Sequence, residues 1–383
     1  MAGFAFSVLL MVALLLGCGG TSGPGFADLG GKAFVPRFAY VPNGDPECGG
    51  DCSPLDISAY TVNATTGALT PVPGSPFSTA AFNGDQFFVD MDPAGNFLFV
   101  GTRGENSVQV FSINQSTGAL TEVPGSPFDS GGSDAYETEI HESGKFLYVS
   151  NAQSGTIGQF SIAGTGALTP IGSPVETLGS PLHLGISTTG KFLYAAVSSE
   201  GYIIQGYSVN SSTGALTELP GSPFNSGNCP GALETDFSGQ FLIVPNTCDD
   251  TVSVFKIDQT TGALTEVNGS PFATGESPTN FAEAHIGTQT YIGVNNAISA
   301  NISVYTFNTT AGALTPVSGS PFGLGLNAPS WIAVGGNFAY VADANNANIR
   351  VATVNSTGKP TEISGSPVSS GGLKFPTQIR LVY

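Results

Sequence analysis

Short segments in which apolar and polar residues alternate recur along the whole chain: DISAYTVN from residue 56, SVQVFSIN from 107, TVSVFKID from 251 and NISVYTFN from 301. Strict alternation over six to eight residues predicts a strand with one face buried. Ahead of such segments stand denser runs: NFLFVG from 96, KFLYVS from 145, KFLYAA from 191, QFLIVP from 240 and NFAYVA from 337. Apolar at nearly every position, they fit strands covered on both faces. After each alternating segment comes a third pattern, TTGALTPVPGSPF at residues 65–77 and its near copies. It predicts a Thr-Gly turn, then a short strand whose Pro suits an edge position, because no ladder N–H is needed there. The closing GSPF is expected to break the strand and begin the crossing to the next unit. A fourth, weakly repetitive strand lies between GSPF and the next dense run.

The glycines of the third pattern stand at Gly67, Gly118, Gly166, Gly214, Gly262, Gly312 and Gly358, 46 to 51 residues apart. Seven copies at this period, each with four strands, predict an all-β, seven-bladed β-propeller of four antiparallel strands per blade. The ends predict closure. After its leader the chain begins with a second-strand pattern, PRFAYVP, and its last residues, FPTQIRLVY, read as an innermost strand. The C-terminal strand is thus expected to complete the N-terminal blade, which leaves no open sheet edge. The expected division is 1–18 signal peptide, 19–33 flexible tether and 34–383 a single propeller.

Composition narrows the partners. Of 383 residues, 28 are acidic and 10 basic, a net charge of −18, with 52 Gly and 26 Pro. Nucleic acid and anionic lipid headgroups both require a cationic surface, so neither is expected to bind. The first 18 residues form an apolar run ending Leu15-Leu16-Gly17-Cys18. It is too short to span a bilayer and reads as a signal-peptide core. Its end resembles a bacterial lipobox, so Cys18 is expected to be lipidated. The protein would then be exported to the bacterial cell envelope and held to the membrane only by that anchor. The remaining cysteines, Cys48, Cys52, Cys229 and Cys248, are even in number and suit two disulfides in an oxidising compartment.

Candidate chemistry falls on the strands that do not repeat. Aligned on the Pro that opens most of them, the innermost strands place Phe88, Glu137, His183, Ala232, Asn280, Trp331 and Gln378 two residues on. Asp90, Glu139, Gly185, Glu234, Ala282, Ala333 and Arg380 stand four residues on. The alternate positions, such as Phe87, Val89, Leu182 and Ile379, are apolar, so the first two sets should face a polar, water-filled central channel. In such a pocket His183 or Glu137 can move a proton, while Arg380 binds a carboxylate or polarises a carbonyl. Glu139, Glu234, Asn280, Trp331 and Gln378 are candidate binding residues, joined by Arg103 from the TRGEN loop at the channel mouth. His141 and His285 read as structural. A polar channel with no activity would carry the same ring, and that alternative stays open.

Two local motifs are decoys. GISTTGK at 185–191 matches the start of a phosphate-binding loop, but Phe192 stands where a hydroxyl should hold Mg²⁺. DMDPAGN at 90–96 has the opening of a calcium loop without its distal Glu. No metal or other cofactor is expected.

KFLYVSN, KFLYAAV, SVQVFSINQSTGALTEV and SPLHLGIS resemble the repeats of the seven-bladed lactonase family, which includes propeller-type 6-phosphogluconolactonases and muconate lactonising enzymes and stands close to the YVTN surface propellers. The resemblance implies metal-independent hydrolysis or closure of a lactone ring at the channel mouth. It carries a catalytic role to His183, in Pro181-Leu182-His183. The Glu expected after the next strand has its nearest counterpart in Glu200, displaced by about two positions. Two readings stand side by side. One is a lactonase-like hydrolase working on a small-molecule lactone in the channel. The other is a non-catalytic, surface-tethered propeller whose loop face binds a protein, glycan or small ligand. Either is expected to be monomeric.

Overall fold

The computed structural model describes residues 36–44, 55–79, 88–199, 201–371 and 375–383. The apolar leader with Cys18, the tether, Cys48, Cys52, Phe87 and Glu200 lie outside the described residues. Seven antiparallel sheets form seven blades. The third shows the plan: innermost strand Ala135–Ile140, then Phe146–Asn151, then Thr156–Ile162, then the outer Leu168–Pro170. The first blade is completed from the far end of the chain, with Phe375–Pro376 and Arg380–Val382 pairing along Phe38–Gly44. Among the described residues the helical content is one 3-10 turn, Ala344–Asn346.

The apolar core is divided into layers between blades. One layer joins Phe192, Tyr194 and Ala196 of the fourth blade to Leu233, Leu242 and Val244 of the fifth. This is why the second strands are apolar at consecutive positions: each of their faces meets a different neighbour.

The repeated motif is the joint between blades. Asn63 Oδ1 accepts the backbone N–H groups of Thr65 and Thr66, at 2.9 and 3.0 Å, and fixes the turn into Gly67 at φ +72°. A Cβ at Gly67 would fall inside the Phe338 ring of the preceding blade, as one at Gly262 would fall inside Phe192. Only glycine meets both demands, positive φ and an aromatic face pressed on the backbone. The Tyr of the dense run completes the joint: Tyr40, Tyr148 and Tyr194 each donate to the carbonyl of the next blade's Gly118, Gly214 and Gly262, at 2.8 Å.

One expectation is corrected. GSPF does not leave the blade, because Phe77–Ser78 folds back and pairs with Asp56 and Ile57. The outer edge is therefore two short segments on one third strand. Ser75 pins the turn between them by accepting the Ala59 N–H at 2.8 Å, and the Ser75–Pro76 bond is cis. Cys229 and Cys248 form a disulfide with Cα atoms 5.4 Å apart, tying the approach to the fifth innermost strand to its neighbour.

Candidate functional site

The innermost strands bring the two predicted rings to the propeller axis, but shut the first of them away from water. Glu137, Glu139 and Gln378 have no exposed surface, and His183 is buried. The reason lies in the edge that each innermost strand presents. Its outward N–H groups need acceptors, and side chains of the preceding blade supply them. Gln378 Oε1 accepts from Val89 N–H at 2.8 Å. Asp90 accepts from Ile140, Glu137 from Leu184, Glu139 from Ile186 and Asn280 from Ile332, each at 2.9 Å. Paired in this way, buried carboxylates are tolerable. The water-filled channel expected at this level is thus replaced by a hydrogen-bonded seam.

At the end where the strands begin, aromatic side chains close the axis. Tyr136 lies 5.2 Å from Phe88 and 5.5 Å from the His183 imidazole, and Phe88 lies 6.4 Å from Trp331, between ring centroids. Tyr136 belongs to neither predicted ring. A register shift between Ala135 and Glu137 re-aims it, as β-bulges do. His183 Nδ1 and Glu137 Oε2 meet at 3.3 Å beneath this cap. Arg103 pairs with Asp134 at 2.6 Å and lies over the Tyr136 ring at 4.7 Å, on a shallow surface depression.

At the opposite end a cavity of about 280 Å³ opens on the axis. Among the predicted residues Arg380 and Glu234 line it; His183, Glu137, Glu139, Asn280, Trp331 and Gln378 do not. Its wall adds Asp90, from the same register position as Arg380, with Phe237 and Tyr383, which lie just past their strands, and Glu283, which lies within Pro278–Ile286 on the alternate positions read as apolar. Arg380 donates from Nε to Val89 O at 3.0 Å and lies over the Trp331 ring at 5.5 Å. Its Nη2 stands 3.6 Å from Asp90 Oδ1 and, among the described residues, has no hydrogen-bond partner. Burial pushes the Asp90 carboxyl up to about 6 although Arg380 pulls the other way. Glu139, just behind, is raised well above the usual carboxylate range by burial, then by the charges of Asp90, Glu234 and Glu137.

The other two histidines differ from each other. His141 is buried and bonds Ser143 and, 3.0 Å away, the Gly190 carbonyl of the next blade, a structural role. His285 stands half-exposed at the cavity lip, 3.0 Å from Glu283 and stacked on Phe237 at 5.1 Å. The strand Pro278–Ile286 runs nine residues, and by its far end the inward-outward alternation no longer predicts which side chains reach the opening.

Fold and site together define a closed seven-bladed propeller with an arginine-based axial cavity at one end. The family described as "Lactonase, 7-bladed beta-propeller" matches residues 55–181, 124–225 and 183–282, more than half the chain. The chain belongs to that family. It is 28% identical over 195 residues to a 6-phosphogluconolactonase of Formosa agariphila, a match covering 46% of this chain and 51% of that one. The chain thus spans about half the length of the curated relative it matches. Among solved structures, the periplasmic gluconolactonase of Pseudomonas aeruginosa aligns with a TM-score of 0.71 at 16% identity, over 90% of this chain and 99% of that one. A candidate 6-phosphogluconolactonase of Bacteroides fragilis aligns at 0.69 and 20% identity, covering 90% and 98%. A functionally unknown protein of Desulfotomaculum acetoxidans aligns at 0.68 and 15%, covering 91% and 99%. At these identities the structural likeness establishes the fold.

Proposed function

We propose that the axial cavity hydrolyses a lactone, with Arg380 and Asp90 as the reacting pair. The observation that carries this reading is Arg380 on the cavity wall, its guanidinium held by Val89 O and its buried Nη2 without a hydrogen-bond partner among the described residues. Aimed at a lactone carbonyl oxygen, Nη2 donates to the charge that develops as the carbonyl carbon becomes tetrahedral. Asp90, ionised above about pH 6, takes the proton of the attacking water. The tetrahedral intermediate then collapses and the ring C–O bond breaks. The leaving alkoxide recovers the proton from Asp90, giving the open-chain hydroxy acid. Family membership supports the reaction class. His183 and Glu137, shut under the aromatic cap, hold the fold in this reading. We infer also that the protein is exported and lipid-anchored at Cys18, which the N-terminal sequence supports.

A panel of five- and six-membered lactones offered to the purified protein tests the reading, with Arg380→Lys and Asp90→Asn as controls. Turnover that falls in both folded variants is expected. No turnover above buffer removes the hydrolase and leaves the binding propeller; turnover untouched in both folded variants removes Arg380 and Asp90 as the reacting pair.

A further inference from the structure

The wall of this cavity carries chemistry that selects among lactones. Among the described residues that line it only Arg380 is basic, and it already faces Asp90; Asp92, Glu142, Glu234 and Glu283 add further carboxyls. A phosphate group brings close to two negative charges into a space whose one cation among the described residues is already set against Asp90 and outnumbered by carboxyls. The hydroxyls of a neutral polyol, by contrast, are donors, and carboxylate oxygens are acceptors. The lip supplies a flat apolar surface: Phe237 is 39% exposed although large and aromatic, and it is braced by His285 stacked behind it. The volume of about 280 Å³ is that of a site for one small ring, near the lower end of small-molecule pockets, roughly 300 Å³.

We propose that the cavity takes an uncharged, polyhydroxylated lactone of monosaccharide size, one ring face laid on Phe237 and its hydroxyls held by Glu234 and Glu283, and that it rejects the phosphorylated counterpart. The proposal rests on the hydrolase reading for turnover but not for binding. It also accounts for release: hydrolysis turns a neutral ring into a carboxylate, and the same acidic wall that accepts the substrate repels the product.

The test separates binding from chemistry. Calorimetric titration of the full chain with glucono-δ-lactam, a neutral ring that resists hydrolysis, and with its 6-phosphate measures selection. Hydrolysis of the two corresponding lactones measures turnover. The lactam is expected to bind at least about tenfold more tightly than its phosphate. Glu142→Lys, at the half-buried lip, should narrow that gap several-fold. Phe237→Ala should weaken lactam binding roughly three- to tenfold with the melting temperature nearly unchanged. Equal or tighter binding of the phosphate, or no binding of the lactam, overturns the inference. Selective lactam binding without turnover of either lactone sustains the inference and sinks the hydrolase. Turnover favouring the phosphorylated lactone sinks the inference and sustains the hydrolase.

Discussion

The two ends of the propeller axis are built from the same seven strands and do opposite things. Where the strands begin, Phe88, Tyr136 and Trp331 meet across the axis and bury the His183–Glu137 pair. Where they end, small residues, Ala282 and Ala333, stand between Arg380, Asp90 and Glu234, and a cavity remains. The difference is one of side-chain volume at two heights of one ring. It shows that polarity alone does not mark the working end of a channel. Polar groups at the closed end are spent on backbone N–H groups of the neighbouring blade, while at the open end Arg380 keeps a donor in hand.

The largest effect should come from the group that joins the two ends. Arg380→Ala is expected to lower kcat/KM by about a hundredfold or more. It should also cost several kcal/mol, since Asp90 loses its buried partner. Arg380→Lys should recover most of the melting temperature but little of the rate. Next, Asp90→Asn should cut kcat by about a hundredfold and abolish the rise in rate through pH 6 that an ionising base produces; a profile that keeps this limb assigns it to another group. At the closed end His183→Ala should do the reverse, lowering stability by roughly 2–4 kcal/mol in denaturant titrations with kcat/KM within about threefold of wild type. A folded His183→Ala protein without activity would place the reaction under the aromatic cap. The smallest effect, and one of opposite sign, is expected at Glu139. Its folded carboxyl titrates above its ordinary value, so the folded state holds a proton that the unfolded chain has lost. Stability therefore falls as pH rises from the ordinary carboxylate range through the raised value. Glu139→Gln keeps an acceptor for Ile186 N–H and should gain on the order of 1 kcal/mol at pH 8 and much less at pH 4.

The blade count was legible because its signal is redundant: seven glycines at one spacing, each forced by a positive φ and an aromatic ring against its backbone. The two axial rings were legible as sets, since the period of two holds past the register shift that opens four of the innermost strands. Their roles were not. Whether Glu139 faces water or the Ile186 N–H depends on how close the blades stand, and no single strand encodes that distance. Tyr136 was hidden by a register shift. The cavity drew on Phe237 and Tyr383, past the ends of their strands, and on Glu283, on the alternate positions of its own strand, from three different blades. Asp90 is the instructive case: it stood in the same register column as Arg380 and was expected to face the axis, but it was given no role beside that arginine.

Five hydrogen bonds between innermost strands run the same way around the ring: Gln378 to the second blade, Asp90 to the third, Glu137 and Glu139 to the fourth, Asn280 to the seventh. The rim joints, glycine on aromatic, are nearly identical and would accept any blade beside any other. The axial bonds are not interchangeable, for the acceptor sets differ from blade to blade: an amide from Gln378, a short carboxylate from Asp90, two longer ones from Glu137 and Glu139, a short amide from Asn280. The molecule is therefore held together by a universal coupling on the outside and a set of addresses on the inside. Duplicating or shuffling blades would leave the coupling intact and scramble the addresses, so a lengthened or reordered ring could close and yet have no cavity.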